Sequence, residues 1–362
     1  MKKPLKILII GPFPNPISGV SIANKNVIKI FKKDENFKPS FINTTFPEFD
    51  EKIGEFSFKK MFFYLSLNLK LYKIIKVNKV YITPGQTFFG ILKYAPFILI
   101  SSFLNKELII HVHGNFINEQ YKLLRGWKKR IYSFLISKFK KGIVLSDSLK
   151  KNLLPFLNDS NIFSLPNFAE DFLVEKQELQ KEFKEVRIIY LSNLMKEKGI
   201  IELLEVLKIL EVEEVNYKAK IAGNIDVNHK DLISNNIGKL KNTEYLGVID
   251  GLEKKNLLLW GNIFVLPTYY KMEGQPISII EAMATNNVII STKHAGIPDL
   301  IVNKINGFFI EKKNISDLKE KIIFLINNKN FIKDIGNTNK KIFLSKYTLK
   351  KFEEQLIKII LK

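Results

Sequence analysis

Nine short, mostly apolar runs, each closed by glycine, serine, proline or threonine, constrain this chain more than any other feature. They are KILIIG (6–11), KVYIT (79–83), ELIIHVHG (107–114) and GIVLS (142–146), then VRIIYLS (186–192), YKAKIAG (217–223), NTEYLG (242–247), NIFVLP (262–267) and NVIIST (287–292). Runs with apolar residues at successive positions are buried on both faces, as strands of parallel sheets are. Between them lie stretches with helical spacing, such as PISGVSIANKNVIKIF with Ile22, Val27, Ile30 and Phe31. Repeated strand–helix order predicts an α/β, doubly wound architecture. The rhythm breaks at SLPNFAEDF (164–172) and then restarts. This predicts two Rossmann-like domains, residues 1–168 and 169–345, with strand C-termini from both facing a central cleft. Residues 346–362 read as a C-terminal helix returning to the N-terminal domain.

Cysteine is absent, so neither a disulfide framework nor a thiolate metal site is available, which fits a cytoplasmic setting. The opening MKKPLKILIIGPFP has an apolar run too short for a signal peptide and reads as a first buried strand. FFGILKYAPFILISSFL (88–104) is the longest weakly charged stretch. It is open to reading as a membrane span or as a buried helix with its approach loop, and Lys93 and Pro96 favour the second.

The net charge of +21 is unevenly placed. Residues 1–168 hold 27 Lys and Arg against 10 Asp and Glu, and residues 169–362 hold 30 against 26. The electropositive first half favours an anionic partner: nucleic acid, an anionic membrane surface or a phosphorylated substrate. No helix-turn-helix, zinc or single-strand motif accompanies the charge, which speaks against nucleic acid.

The stretch TYYKMEGQPISIIEAMATNNVIIST (268–292) holds two acids with little polar cover. Pro276 suits the first turn of a helix, where its missing N–H would have no partner. PISIIEAMAT then reads as an apolar helix burying Ile279, Ile280, Ala282 and Met283, with Glu281 in its second turn and Glu273 just ahead of it. An acid inside an apolar helix is costly without a partner. Two carboxylates there can accept paired hydrogen bonds from vicinal hydroxyls, and the helix N-terminus favours phosphate. A ligand with sugar hydroxyls and a diphosphate matches all three features.

EGQPISIIEAMA resembles the Glu-x7-Glu signature of the retaining glycosyltransferases of family four, which have the GT-B fold. The order of other segments is similar too. GPFPNPISGVSIANKNV resembles that family's N-terminal Gly-rich loop, HVHGNF its His-Gly segment and GIVLSDSLKKNLL its serine-ended strand and helix. LPNFAEDF resembles its linker, SNLMKEKGIIELLEVL its basic loop and helix, and AGIPDLIVNKINGFFI its closing Gly-rich stretch. The resemblance implies that Glu281 binds the ribose hydroxyls of a nucleotide sugar. It implies that Glu273 contacts the transferred sugar, assisted by backbone N–H groups of Gly274 and Gln275. Lys198 would bind the diphosphate, Gly19 would let backbone approach the phosphates, and His113 would contact the sugar, with His111 as its competitor. Where the family has an arginine, this chain has Asn193, so Lys196 or another lysine takes that place or the clamp is missing. Where the family has Gly-Phe-Gly after the first glutamate, Gly274-Gln275-Pro276 stands.

The implied reaction is sugar transfer from a nucleotide diphosphate sugar, a UDP-sugar, with retention and without a metal or other cofactor. Two basic segments suggest where the acceptor lies. In FKKMFFYLSLNLKLYKIIK (58–76), taken as one helix, Lys59, Lys70, Lys73 and Lys76 fall within a third of the wheel. In KLLRGWKKRIYSFLISKFKK (122–141), Leu124, Trp127, Ile131 and Leu135 form a stripe, with Lys122, Arg125, Lys129 and Lys140 on another side. The second reads as a helix packed on its sheet, the first as a membrane-surface element. The acceptor expected is a polyprenol-linked saccharide of a bacterial capsule, O-antigen or exopolysaccharide, met on the inner face of the cytoplasmic membrane. The alternatives are a GT-B enzyme with a soluble product, such as a glucan synthase or a sugar-nucleotide epimerase, and a non-catalytic nucleotide-sugar-binding relative.

Overall fold

A computed structural model of the chain describes residues 3–15, 18–46, 58–174 and 181–362. Pro16 and Ile17 of the first Gly-rich loop lie outside them. The chain divides into two compact units, residues 1–166 with 355–362, and residues 167–354. Each is built on its own six-stranded parallel sheet and its own apolar core.

The first unit holds β1 (Leu5–Gly11), β2 (Phe37–Asn43), β3 (Lys79–Ile82), β4 (Glu107–Val112), β5 (Lys141–Val144) and β6 (Ile162–Ser164). Their order across the sheet is β2-β1-β3-β4-β5-β6. The second holds β7 (Arg187–Leu191), β8 (Lys218–Ala222), β9 (Thr243–Tyr245), β10 (Ile263–Leu266), β11 (Val288–Thr292) and β12 (Gly307–Ile310), ordered β12-β11-β10-β7-β8-β9. The order reverses between β1 and β3 in one sheet and between β7 and β10 in the other. Loops leaving the C-terminal ends of strands at such a reversal diverge and leave room for a ligand.

The nine runs all form strands, and β2, β6 and β12 join them. These three are edge strands, each with one side of its backbone unpaired in the sheet. Pro39 in β2 fits that position, since a proline has no N–H for a central ladder.

The last helix, Leu349–Leu361, ends among residues belonging with the first unit. Glu107 holds Lys79 at 2.9 Å and Lys141 at 2.7 Å. Lys79 Nζ donates to the Ile360 carbonyl at 2.5 Å and Lys141 Nζ to that of Ile359 at 3.4 Å. Two cations thus meet the helix's negative end, and one carboxylate keeps them there.

Residues 88–104 form two short helices, Phe88–Leu92 and Ala95–Phe103, with Phe97, Ile98 and Ser101 buried. Among the described residues no helix is long and apolar enough to cross a membrane. The single helix expected over 58–76 is instead a helix (Phe58–Ser66), a tighter turn (Leu67–Lys70) and a short helix (Tyr72–Ile75). The break lets both Leu67 and Ile74 reach the core, so Lys59, Lys70, Lys73 and Lys76 share no common wheel. In the second basic segment the helix begins only at Gly126, whose φ is +53°. Leu124 precedes it, the helical phase shifts, and Tyr132 and Ile136 bury with Leu135 while Trp127 stays 62% exposed.

Candidate functional site

In the second unit, the two strands at the reversal carry the acid–lysine chemistry. The loop after β7 runs from Ser192 to Gly199 and turns into the helix Ile200–Val212. Gly199 has φ +81°, and a Cβ there would stand 2.5 Å from the Pro267 carbonyl oxygen. Only glycine accepts both the left-handed turn and that approach. Tyr190 pins the loop by donating to the Asn193 carbonyl at 3.1 Å. Lys198, just before the glycine, is thereby aimed at the loop after β10.

That second loop ends at Glu273, which is 7% exposed. Lys198 Nζ lies 2.6 Å from Glu273 Oε2 and 5.1 Å from the centre of the Tyr270 ring. Thr268 Oγ1 donates to the same oxygen at 3.1 Å. Burial first, and the Glu273 carboxylate second, push the phenols of Tyr190 and Tyr270 up, so both stay neutral donors. The helix Ile277–Ala284 follows, with Pro276 as its capping residue. Ile279, Ile280, Ala282 and Met283 are fully buried, as the pattern predicts. Glu281, on the second turn, is 5% exposed and pairs with Lys254 Nζ at 2.5 Å.

The other expected residues are placed less simply. The Gly274 carbonyl accepts from Gly296 N–H at 2.9 Å. Gln275 is engaged by Asn167, whose N–H donates to Gln275 Oε1 at 2.7 Å and whose Nδ2 donates to the Gln275 carbonyl at 2.8 Å. The Gln275 side chain therefore braces the linker. Asn193 and Lys196 are exposed on the β7 loop.

In the first unit, Gly19 opens the helix Gly19–Lys33 behind a Ser18–Ser21 capping box. His113 follows β4. The His111 and His113 rings stand 4.0 Å apart, and Tyr81 OH bonds His111 Nδ1. His111 is wholly buried, and Nε2 of both histidines is buried without a partner among the described residues. Burial pushes the His113 imidazole down to about 4, and burial with the His113 neighbour pushes His111 well down. Both rings are neutral in ordinary buffers. Their orphaned Nε2 atoms distinguish them from fully satisfied core histidines.

Sequence reasoning missed Lys254, Thr268, Tyr190 and Tyr81. Thr268 was findable as the first polar residue beyond a strand end. Lys254 gave no signal, because its pairing depends on strand order and not on spacing.

Known proteins share this fold. In the structure of Anabaena Alr3699/HepE in complex with UDP, 99% of that chain superposes on 98% of this one with a TM-score of 0.73 at 14% identity. The fold is GT-B. Residues 171–342 match the family described as Glycosyl transferases group 1. The capsular polysaccharide biosynthesis glycosyltransferase CapM of Staphylococcus aureus is 27% identical over 230 residues, covering 59% of each chain. The poly(ribitol-phosphate) alpha-N-acetylglucosaminyltransferase of Staphylococcus aureus strain COL is 26% identical over 258 residues, covering 69% of this chain and 50% of that one. The matches thus span about half to three-fifths of the length of these curated relatives.

The histidine pair makes stability depend on pH. A folded pKa below the unfolded value of about 6.5 means that the unfolded chain binds more protons in that window. Stability is complete above about pH 6.5 and falls as pH drops toward about 4, the folded value for His113. Urea midpoints measured at pH 7.5 and 5.0 should show the drop, and His113→Gln should reduce it. An unchanged drop in the variant would place the proton uptake elsewhere.

Proposed function

We propose that this chain is a retaining glycosyltransferase that moves a sugar from a UDP-sugar to a lipid-linked saccharide acceptor of a bacterial surface polysaccharide. The observation that carries the reading is the Lys198–Glu273 pair on the two loops that leave β7 and β10 at the reversal of the second sheet. The matched family segment and the polysaccharide relatives support it.

Lys198 has Glu273 as its one ion-pair partner among the described residues. A diphosphate carries more charge than one carboxylate and competes for that ammonium. When Lys198 turns to the phosphates, Glu273 is released to accept hydroxyl hydrogens of the donor sugar. Charge then builds on the departing diphosphate, and Lys198 and the N–H groups opening Ile277–Ala284 stabilise it. Glu281 holds the ribose. In the first unit, neutral His113 offers a hydrogen bond to a saccharide hydroxyl without adding charge. No metal or other cofactor enters this scheme.

The acceptor side rests on the surface of the first unit. Residues 58–76 contain five lysines and no acid. Phe58, Phe62, Leu65, Leu69, Tyr72 and Ile75 are all more than half exposed there, and Phe103 at the end of the neighbouring helix is 84% exposed. Large apolar side chains in this number are costly in water and mark an interaction surface. With lysines interleaved, the fitting partner is an anionic lipid headgroup layer.

Three measurements test this reading. Glu281→Ala should weaken UDP binding about tenfold, the loss of one hydrogen bond to a charged group. Glu273→Gln should instead lower turnover with little effect on UDP affinity, because its partner changes most at the transition state. Calorimetry and initial rates separate the two, and reversed effects would exchange their roles. In co-sedimentation, the protein should bind anionic vesicles, at about 1 kcal/mol per lysine near the surface. Salt should remove most of that binding, since screening acts within about 10 Å at 0.1 M. Apolar insertion should leave a salt-resistant remainder. Protein remaining in the supernatant at low salt would favour a soluble acceptor.

A further inference from the structure

Glu281 raises a question that its expected partner alone does not answer. A carboxylate 5% exposed on an apolar helix needs a counterion even without ligand. Among the described residues Lys254, on the helix Gly251–Trp260, is the one hydrogen-bond partner of that carboxylate. We propose that Lys254 is a positioning residue for the nucleotide, holding Glu281 Oε1 so that the carboxylate stands ready for ribose hydroxyls. The inference rests on the reading of Glu281 as the ribose ligand.

A carboxylate has about four acceptor sites on its two oxygens, and the lysine takes one. The others remain for a diol. Fixing the side chain beforehand lowers the entropy that a ligand must otherwise remove on binding. Each of the two lysines has one acid within ion-pair distance among the described residues. Burial pushes the Lys254 ammonium down, but Glu281, Glu170 and Asp250 together outweigh it and hold its pKa above the ordinary value. Lys254 is thus drawn by three acids and packs 6.0 Å from the centre of the Phe172 ring. Lys198 is drawn by Glu273.

The test is calorimetric titration of the whole chain with UDP, GDP and ADP, then with the tightest binder and its 2′-deoxy form. Wild type should prefer the ribonucleotide about tenfold. Lys254→Met should lose most of that preference, to about twofold or less, while binding the 2′-deoxy form nearly as wild type does. Lys254→Arg, which keeps the charge, should retain most of it. Circular dichroism and melting confirm that the variants are folded. If Lys254→Met keeps the wild-type preference, Lys254 does not position Glu281. If it weakens both forms equally, its role is structural and the inference fails. If wild type binds none of the three, or binds both forms alike, the ribose reading itself fails before any variant is compared.

Discussion

A carboxylate taken out of water must be paired, and two such carboxylates govern the second unit. Glu273 and Glu281 are 7% and 5% exposed, each with a lysine at 2.6 Å or less. Removing one member of such a pair leaves a buried charge uncompensated, which costs several kcal/mol. The surrounding architecture serves this requirement. Gly199 lets the β7 loop close on Pro267, Tyr190 fixes that loop, and Thr268 supplies a second donor to Glu273.

The two pairs are not equivalent in their consequences. Among the described residues each lysine has one acid within ion-pair distance, and around Lys254 Glu170 and Asp250 add to Glu281 in holding its pKa above the ordinary value. Sheet topology brings Lys198 and Glu273 together: the β7 and β10 strands that carry their loops are neighbours although more than seventy residues separate them.

Much of this was legible in the sequence. The strand runs and the break near residue 166 follow from burial on both faces, and Glu273 and Glu281 were conspicuous as acids among apolar residues. Strand β2 was hidden by its mixed pattern and β6 by its three-residue length, and the apolar GFFI of β12 was read as part of a Gly-rich stretch. The basic segments misled for a different reason. A helical wheel assumes unbroken phase, and the turns at Leu67–Lys70 and at Gly126 break it. Lys254 was invisible because its significance arises only when the fold brings its ammonium to Glu281. Gln275, read for its backbone N–H, proved to have a side chain committed to Asn167.

The account turns on Lys198 leaving Glu273 for a diphosphate, and comparing UDP with uridine tests this most directly. Calorimetric titration of wild type should show UDP binding at least tenfold more tightly than uridine, as a charge-assisted contact implies at about 1.5–3 kcal/mol. Lys198→Met should lose most of that advantage, with uridine affinity unchanged and the N–H groups opening Ile277–Ala284 keeping the rest. A variant that keeps the full advantage of UDP over uridine would show that the diphosphate is held by other groups and would contradict the account.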